Sequence, residues 1–253
     1  MIFDLQKASM LKRISAFMFD IIMLGILAVG LGFIISSLTG YDKYSTALND
    51  AYDKYEAEYA IEFEIAEDIY RSFTDEERAN YDAAYNALIN DTDAMYAYNM
   101  VINLTLLIIT LAILLSYVVL EFVIPLMFDN GQTLGKKIFG IALMRTDGVK
   151  ISAPILFIRT ILGKFTIETM IPVLIIIMIY FNSIGVVGIL VLFLILVLEI
   201  SLLISTKTNS MIHDVLAKTV AVDLASQMIF DTEADMIAYK NKVHSEKVAR
   251  ETY

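Results

Sequence analysis

Apolar residues dominate four stretches of the chain, near 14–38, 99–127, 155–181 and 185–206. Each is long enough to cross a bilayer as a helix, which takes about 20 residues. Between the first two the pattern changes. Leu48, Tyr52, Tyr55, Tyr59, Phe63, Ala66 and Tyr70 recur at three- and four-residue spacing, which predicts a helix. Thr74-Asp75-Glu76-Glu77 reads as a capping box that opens a second helix. Its apolar face continues through Tyr81, Ala84, Tyr85, Leu88 and Thr92. An antiparallel helical hairpin is expected there, with Thr39-Gly40 as the break after the first crossing. After the second crossing, Phe139 to Thr146 is apolar and partly β-branched. Asp147-Gly148 is a two-residue hairpin signal, with Val149-Lys150-Ile151 as the return arm and Thr219-Val220-Ala221-Val222 as a third short strand.

The expected fold is an all-α membrane protein. Four transmembrane helices form a bundle, an extracytoplasmic helical hairpin sits between helices 1 and 2, and a small β-element lies on the cytoplasmic side. Residues 1–38 hold the N-terminus and first crossing, 39–98 the hairpin, 99–128 the second crossing and 129–154 a cytoplasmic loop. Residues 155–206 hold the third and fourth crossings, and 207–253 a cytoplasmic segment whose tail, 231–253, is a charged helix or disordered. The third crossing is the least regular, because it carries Arg159, Lys164 and Glu168. An interfacial helix at its start would leave only a short apolar run before Asn182-Ser183, so four crossings are retained.

Composition supports this reading. Hydrophobic residues are 58% and mean hydropathy is +0.66, too apolar for a soluble domain of this length. The absence of cysteine excludes disulfides and thiolate metal sites. His213 and His244 leave little for a histidine-rich centre, so neither metal nor cofactor is expected. The first apolar run has no small-residue cleavage pattern and reads as a retained helix.

Charge fixes the expected orientation. Of the net −10, the segment from Asp42 to Tyr98 supplies 15 acidic and 4 basic residues, which argues against a nucleic-acid partner. Lysine and arginine cluster at Lys7, Lys12 and Arg13, at Lys136, Lys137, Arg145 and Lys150, and at Lys207 and Lys218. With four crossings all three sets face one side, so both termini are cytoplasmic and 42–98 is outside. Ten of the 14 tyrosines lie between Tyr41 and Tyr98. They either pack the two helices together or bind an external protein partner.

The charges inside the apolar segments carry the functional question. Arg13 and Asp20 are seven residues apart, almost two helical turns, and share one stripe of the first helix. Asp20 lies about 10 Å deeper than Arg13. Glu121, Arg159, Lys164, Glu168 and Glu199 join it, all in the inner halves of their helices. Exposure to lipid costs roughly 2.5–3.5 kcal/mol for such a group, so they are expected to turn inward and meet. One reading is ion pairs that glue the helices, such as Arg159 with Asp20 or Glu121, and Lys164 with Glu168 one turn on. Glu121 and Lys164 can also simply snorkel, whereas Asp20 and Glu199 are too short and deep to do so easily. The other is a wet inner cavity with titrating carboxylates, suited to protons or small cations.

Two short motifs add little. Gly131-Gln132-Thr133-Leu134-Gly135-Lys136-Lys137 fails as a phosphate loop, because only three residues separate its glycines and Lys137 replaces the hydroxyl. Its lysines read as interface anchors. His213-Asp214 reads most simply as a cap or turn contact. No nucleophile, metal cluster or phosphate loop survives, so an enzyme is not expected.

Together these residues resemble the RDD family of bacterial membrane proteins, named for an arginine and two aspartates. Arg13 matches the arginine at the start of the first helix and Asp20 the aspartate within it. Asp214, in His213-Asp214-Val215-Leu216-Ala217-Lys218-Thr219, matches the third. The 131–141 stretch followed by Asp147-Gly148 is similar to the family's central loop, and Arg159 to the basic residue entering the next helix. Two departures stand out: the family usually has a short link where this chain carries 42–98, and Lys218 stands where glycine is usual. The resemblance implies a multi-pass protein of the bacterial plasma membrane and a transport role, with sodium/proton antiport in some similar proteins. The first expectation is a small transporter or ion-coupled exchanger, homo-oligomeric because four helices are few. In it Asp20 titrates or binds the cation, Arg13 and Arg159 tune it, Asp214 orders the mouth, and Glu121 and Glu199 assist. The alternative is a non-transporting adaptor, assembly factor or sensor that acts through the acidic, tyrosine-rich hairpin.

Overall fold

The computed structural model describes residues 5–128, 130–181 and 183–251. Asn182, the expected break before the fourth helix, and the last two residues of the tail lie outside the described residues. Helix α1 (Met10–Thr39) is followed by α2 (Tyr41–Tyr59), α3 (Glu67–Ser72) and α4 (Asp75–Asn90). A second span, Thr92–Met127, comprises α5 (Thr92–Tyr117), a π-helical turn Val118–Val123 and α6 (Ile124–Met127). After it come α7 (Leu134–Ile138) and β1 (Ile141–Arg145). The third span, Ala153–Tyr180, joins α8 (Ala153–Phe157), a π-helical stretch Ile158–Met170 and α9 (Ile171–Tyr180). The fourth is α10 (Gly185–Ser205), and α11 (Ile212–Ala217), β2 (Thr219–Asp223) and α12 (Glu233–Glu251) finish the chain. The four spans match the four apolar runs, the second starting at Thr92 rather than near 99. Their exposed side chains, such as Ile26 and Phe33 on α1 or Val186 and Phe193 on α10, are apolar. This is an integral membrane protein in contact with lipid.

The chain divides into two compact units, one made of the residues up to Ala28 with those from Ile113 onward, the other of Val29–Ala112. In the second unit Gly40 takes a left-handed conformation (φ 68°) and separates α1 from α2, as expected. The stripe through Tyr70 is not one helix. Ala60 turns left-handed (φ 54°) and closes α2, leaving Phe63 and Ala66 in a loop and Tyr70 on α3. The Glu56 carboxylate accepts the Phe63 N–H at 2.7 Å and holds that loop back on α2. Phe63 then meets the rings of Tyr52 and Tyr81, at 5.5 and 5.9 Å, and supports a cluster of Tyr55, Leu88 and Ala94. The capping box is present: Glu77 N–H donates to Thr74 Oγ1, and the Thr74 N–H donates to Glu77 Oε2. Thr92 does not extend α4. Asp91 accepts the N–H groups of Asp93 and Ala94 and starts the next helix there.

In the other unit β1 pairs antiparallel with β2, Ile141 opposite Asp223 and Arg145 opposite Thr219. Both faces are covered, which explains an apolar run instead of alternation. Ile141 and Leu143 pack with Ala8 and Ala16, while Ala142 and Met144 pack with Val220, Val222, Leu5 and Ile229. The Asp147-Gly148 turn forms, with Gly148 at φ 95°. Its return arm is not a strand, however, and gives single bridges, Met144 to Lys150 and Val149 to Phe230. Lys218 is left-handed at φ 51°, where it closes α11, so the usual glycine has a conformational reason.

Candidate functional site

The charged residues of the third span sit on π-helix. At about 100° per residue, an α-helix would put Arg159 and Glu168 about 180° apart. Bonds from i to i+5, as from Ile171 N–H to the Thr166 carbonyl, widen the turn to about 4.4 residues, and the separation falls to about 20°. Arg159, Lys164 and Glu168 thereby all border one cavity. The second span does the same locally: Glu121 lies in its π-helical turn, and its backbone carbonyl accepts Thr160 Oγ1 at 2.9 Å.

Asp214 is the meeting point of several elements. Arg159 Nε donates to its Oδ1 at 3.0 Å, Thr219 Oγ1 donates to the same oxygen at 2.8 Å, and a terminal guanidinium nitrogen of Arg13 stands 3.9 Å from Oδ2. The carboxylate therefore ties α1, the third span and β2 together. Burial pushes the Asp214 carboxyl up, but Arg159, His213 and Thr219 outweigh it and hold it well below the usual carboxylate range. His213 bridges two carboxylates: Nδ1 lies 2.7 Å from Glu168 Oε2, and Nε2 lies 3.4 Å from Asp214 Oδ2. Gly163 permits this approach, since a Cβ there would stand 2.6 Å from His213 Cβ.

Asp20 is engaged elsewhere. It accepts Thr133 Oγ1 at 2.5 Å and the Gly135 N–H at 2.8 Å, with Lys136 Nζ at 3.9 Å. Gly135 is required here, because a Cβ would run into the Ala16 carbonyl oxygen. Asp20 thus docks the start of α7 on α1. Burial first, then Lys164 and Arg159, push the Lys136 ammonium down to about 8 against the pull of Glu121 and Asp20.

Arg13, Asp20, Glu121, Arg159, Lys164, Glu168, Glu199 and Asp214 all line one cavity of about 550 Å³, joined by Lys136 and His213. Among the described lining residues, five carboxylates face four lysine or arginine cations. Two acceptors are left over. Glu121 Oε1 takes Lys164 Nζ at 2.7 Å and Glu199 Oε2 takes the Ile212 N–H at 3.3 Å, while Glu121 Oε2 and Glu199 Oε1 are buried without a partner. Glu168 accepts the His213 N–H at 2.7 Å and borders the same cavity as Glu199.

Several expected pairings are different. Arg159 pairs with Asp214, not Asp20 or Glu121, and Lys164 pairs with Glu121, not Glu168. The π-helical turn moves Lys164 toward the second span. Glu121, 4% exposed, does not snorkel. Lys136 is no interface anchor: it is buried and donates to Thr133 Oγ1. His213-Asp214 is more than a turn contact, because both side chains are buried in the network. Thr133 and Tyr117 were not expected here. Thr133 caps α7, and the Tyr117 hydroxyl meets Thr169 Oγ1 at 2.8 Å on the cavity wall. The tyrosines of 41–98 belong to the other unit.

No curated protein and no solved structure matches the chain. The sequence model of the RDD family matches residues 7–218, most of its length and inclusive of Arg13, Asp20 and Asp214. The chain belongs to the RDD family of membrane proteins.

Proposed function

We propose that this protein is a small ion-coupled exchanger of the bacterial plasma membrane, with both termini cytoplasmic, that trades a proton for a cation. One observation carries the reading. The cavity brings five carboxylates together with four lysine or arginine cations and His213, and Glu199 presents to it a buried carboxylate oxygen without a donor. A proton or a cation satisfies that oxygen, but both cannot occupy it together, which is the elementary requirement for exchange. Glu168 and His213, 2.7 Å apart, border the same cavity as Glu199 and supply a relay for the proton. Asp20 then positions the 131–138 loop and holds Lys136 in the cavity, a different role from the titrating one its depth suggests. The RDD resemblance points to sodium as a cation to try first, and four spans favour assembly from several copies.

The test is flux into proteoliposomes that contain a pH-sensitive dye, driven by a sodium or potassium gradient. Glu199→Gln removes the charge and keeps the shape, and is expected to abolish coupled proton movement. Glu168→Gln is expected to slow it. Undiminished coupled flux in Glu199→Gln protein that inserts normally would show the reading to be wrong.

A further inference from the structure

The cavity is far larger than an inorganic ion needs. Its volume of about 550 Å³ falls among pockets for small organic ligands, about 300–1,000 Å³, whereas a water molecule occupies about 30 Å³. Its charges are not spread evenly over its lining. Ile14, Phe17 and Ile21 of α1 and Leu192, Ile195 and Leu196 of α10 give apolar walls, with Ile14, Phe17, Ile21 and Leu196 about half exposed. A metal cation loses hydration beside such walls and gains nothing from them. A ligand with an apolar body gains from burial there, about 25 cal/mol per Å².

The polar part of the cavity specifies the other half of the ligand. Glu121 Oε2 and Glu199 Oε1 are acceptors without donors, and Glu121 is more than nine-tenths buried. An ammonium group brings three donors and one positive charge, which suits buried carboxylate oxygens that lack a donor. We propose that the cavity binds a primary organic ammonium ion, its head among the free oxygens of Glu121 and Glu199 and its apolar body between α1 and α10. The inference rests on the exchange reading and names its cargo.

The experiment uses the full chain in nanodiscs of phosphatidylcholine, a lipid without a primary amine, and titrates phenethylamine calorimetrically. Saturable binding is expected, with about one proton displaced per amine when buffers of different ionisation enthalpy are compared. Phenethyl alcohol, the same body without the charge, is expected not to bind. Glu199→Gln is expected to weaken the amine at least tenfold, and Leu196→Trp, which fills the apolar wall, to do the same. Equal binding of the alcohol, or unchanged binding by either variant, overturns the proposal. Glu199-dependent sodium flux with no amine binding overturns the amine assignment and leaves exchange standing. Absence of both overturns both.

Discussion

Asp214→Asn is the sharpest probe of the network. It keeps the shape of the side chain and removes the one negative charge that Arg159, Arg13 and His213 share. Arg159 is 2% exposed, so water cannot replace the lost partner. Removing one member of a buried pair costs about 3–5 kcal/mol, mainly because the other charge stays buried and uncompensated. Arg13, farther away at 3.9 Å, adds less. At about 2–4 °C per kcal/mol, the loss lowers Tm by about 6–20 °C. The measurement is thermal unfolding in nanodiscs followed by far-ultraviolet circular dichroism. If the stranded Arg159 charge is the cause, Arg159→Met added to Asp214→Asn recovers part of the loss, with a coupling of about 1–3 kcal/mol. A single change costing under about 1 kcal/mol, or a double variant that is simply additive, would refute the reasoning.

Three further outcomes follow from local geometry. Gly163→Ala places a methyl 2.6 Å from His213 Cβ and 2.7 Å from its Cα, so α11 must move. A loss of about 1–3 kcal/mol is expected, read as a lower Tm, and an unchanged Tm would mean that α11 docks differently. Lys218→Gly relieves a left-handed residue worth about 1–2 kcal/mol against about 0.5–1 kcal/mol of added chain entropy. A small rise in stability is expected, and a clear fall would contradict the strain argument. Lys136 has its folded pKa depressed to about 8 from an ordinary 10.5. Between those values the unfolded chain binds more protons, so this residue makes stability rise with pH across that window. Lys136→Met should flatten the rise in Tm, and an unaltered slope assigns it to another group.

The spans were legible because a bilayer imposes length and hydropathy on any helix that crosses it. The capping box at Thr74 and the break at Gly40 were legible because they are local. The pairing of β1 with β2 was not, since its partner lies beyond two membrane spans while a strong turn signal stands next door at Asp147-Gly148. Lys150 follows that turn but gives its N–H to the Phe230 carbonyl, which leaves no second arm. Arg13, Asp20 and Asp214 were legible as an expensive set of charges, but their partners were not. Asp20 is held by a hydroxyl and a backbone amide, and neither leaves a mark in charge patterning.

The ends of the π-helical segments have a cause that the sequence does contain. Both end two residues before a proline, Val123 before Pro125 and Met170 before Pro172. A proline lacks the donor for the carbonyl four residues back, and its ring crowds that carbonyl. Those carbonyls belong to Glu121 and Glu168, in Glu121-Phe122-Val123-Ile124-Pro125 and Glu168-Thr169-Met170-Ile171-Pro172. The same five-residue pattern, glutamate first and isoleucine-proline last, therefore occurs in two spans. In each, proline removes the α-helical bond at a cavity glutamate, and the backbone widens where a charged side chain must face inward. At Glu121 the released carbonyl is taken by Thr160 Oγ1 of the neighbouring span, so the distortion that orients the carboxylate also joins two helices. The pattern supplies what helical periodicity could not. It marks the proline-side end of each π-helical segment, and the π-helical backbone of Ile158–Met170 brings Arg159, Lys164 and Glu168, dispersed around an α-helix, to one cavity.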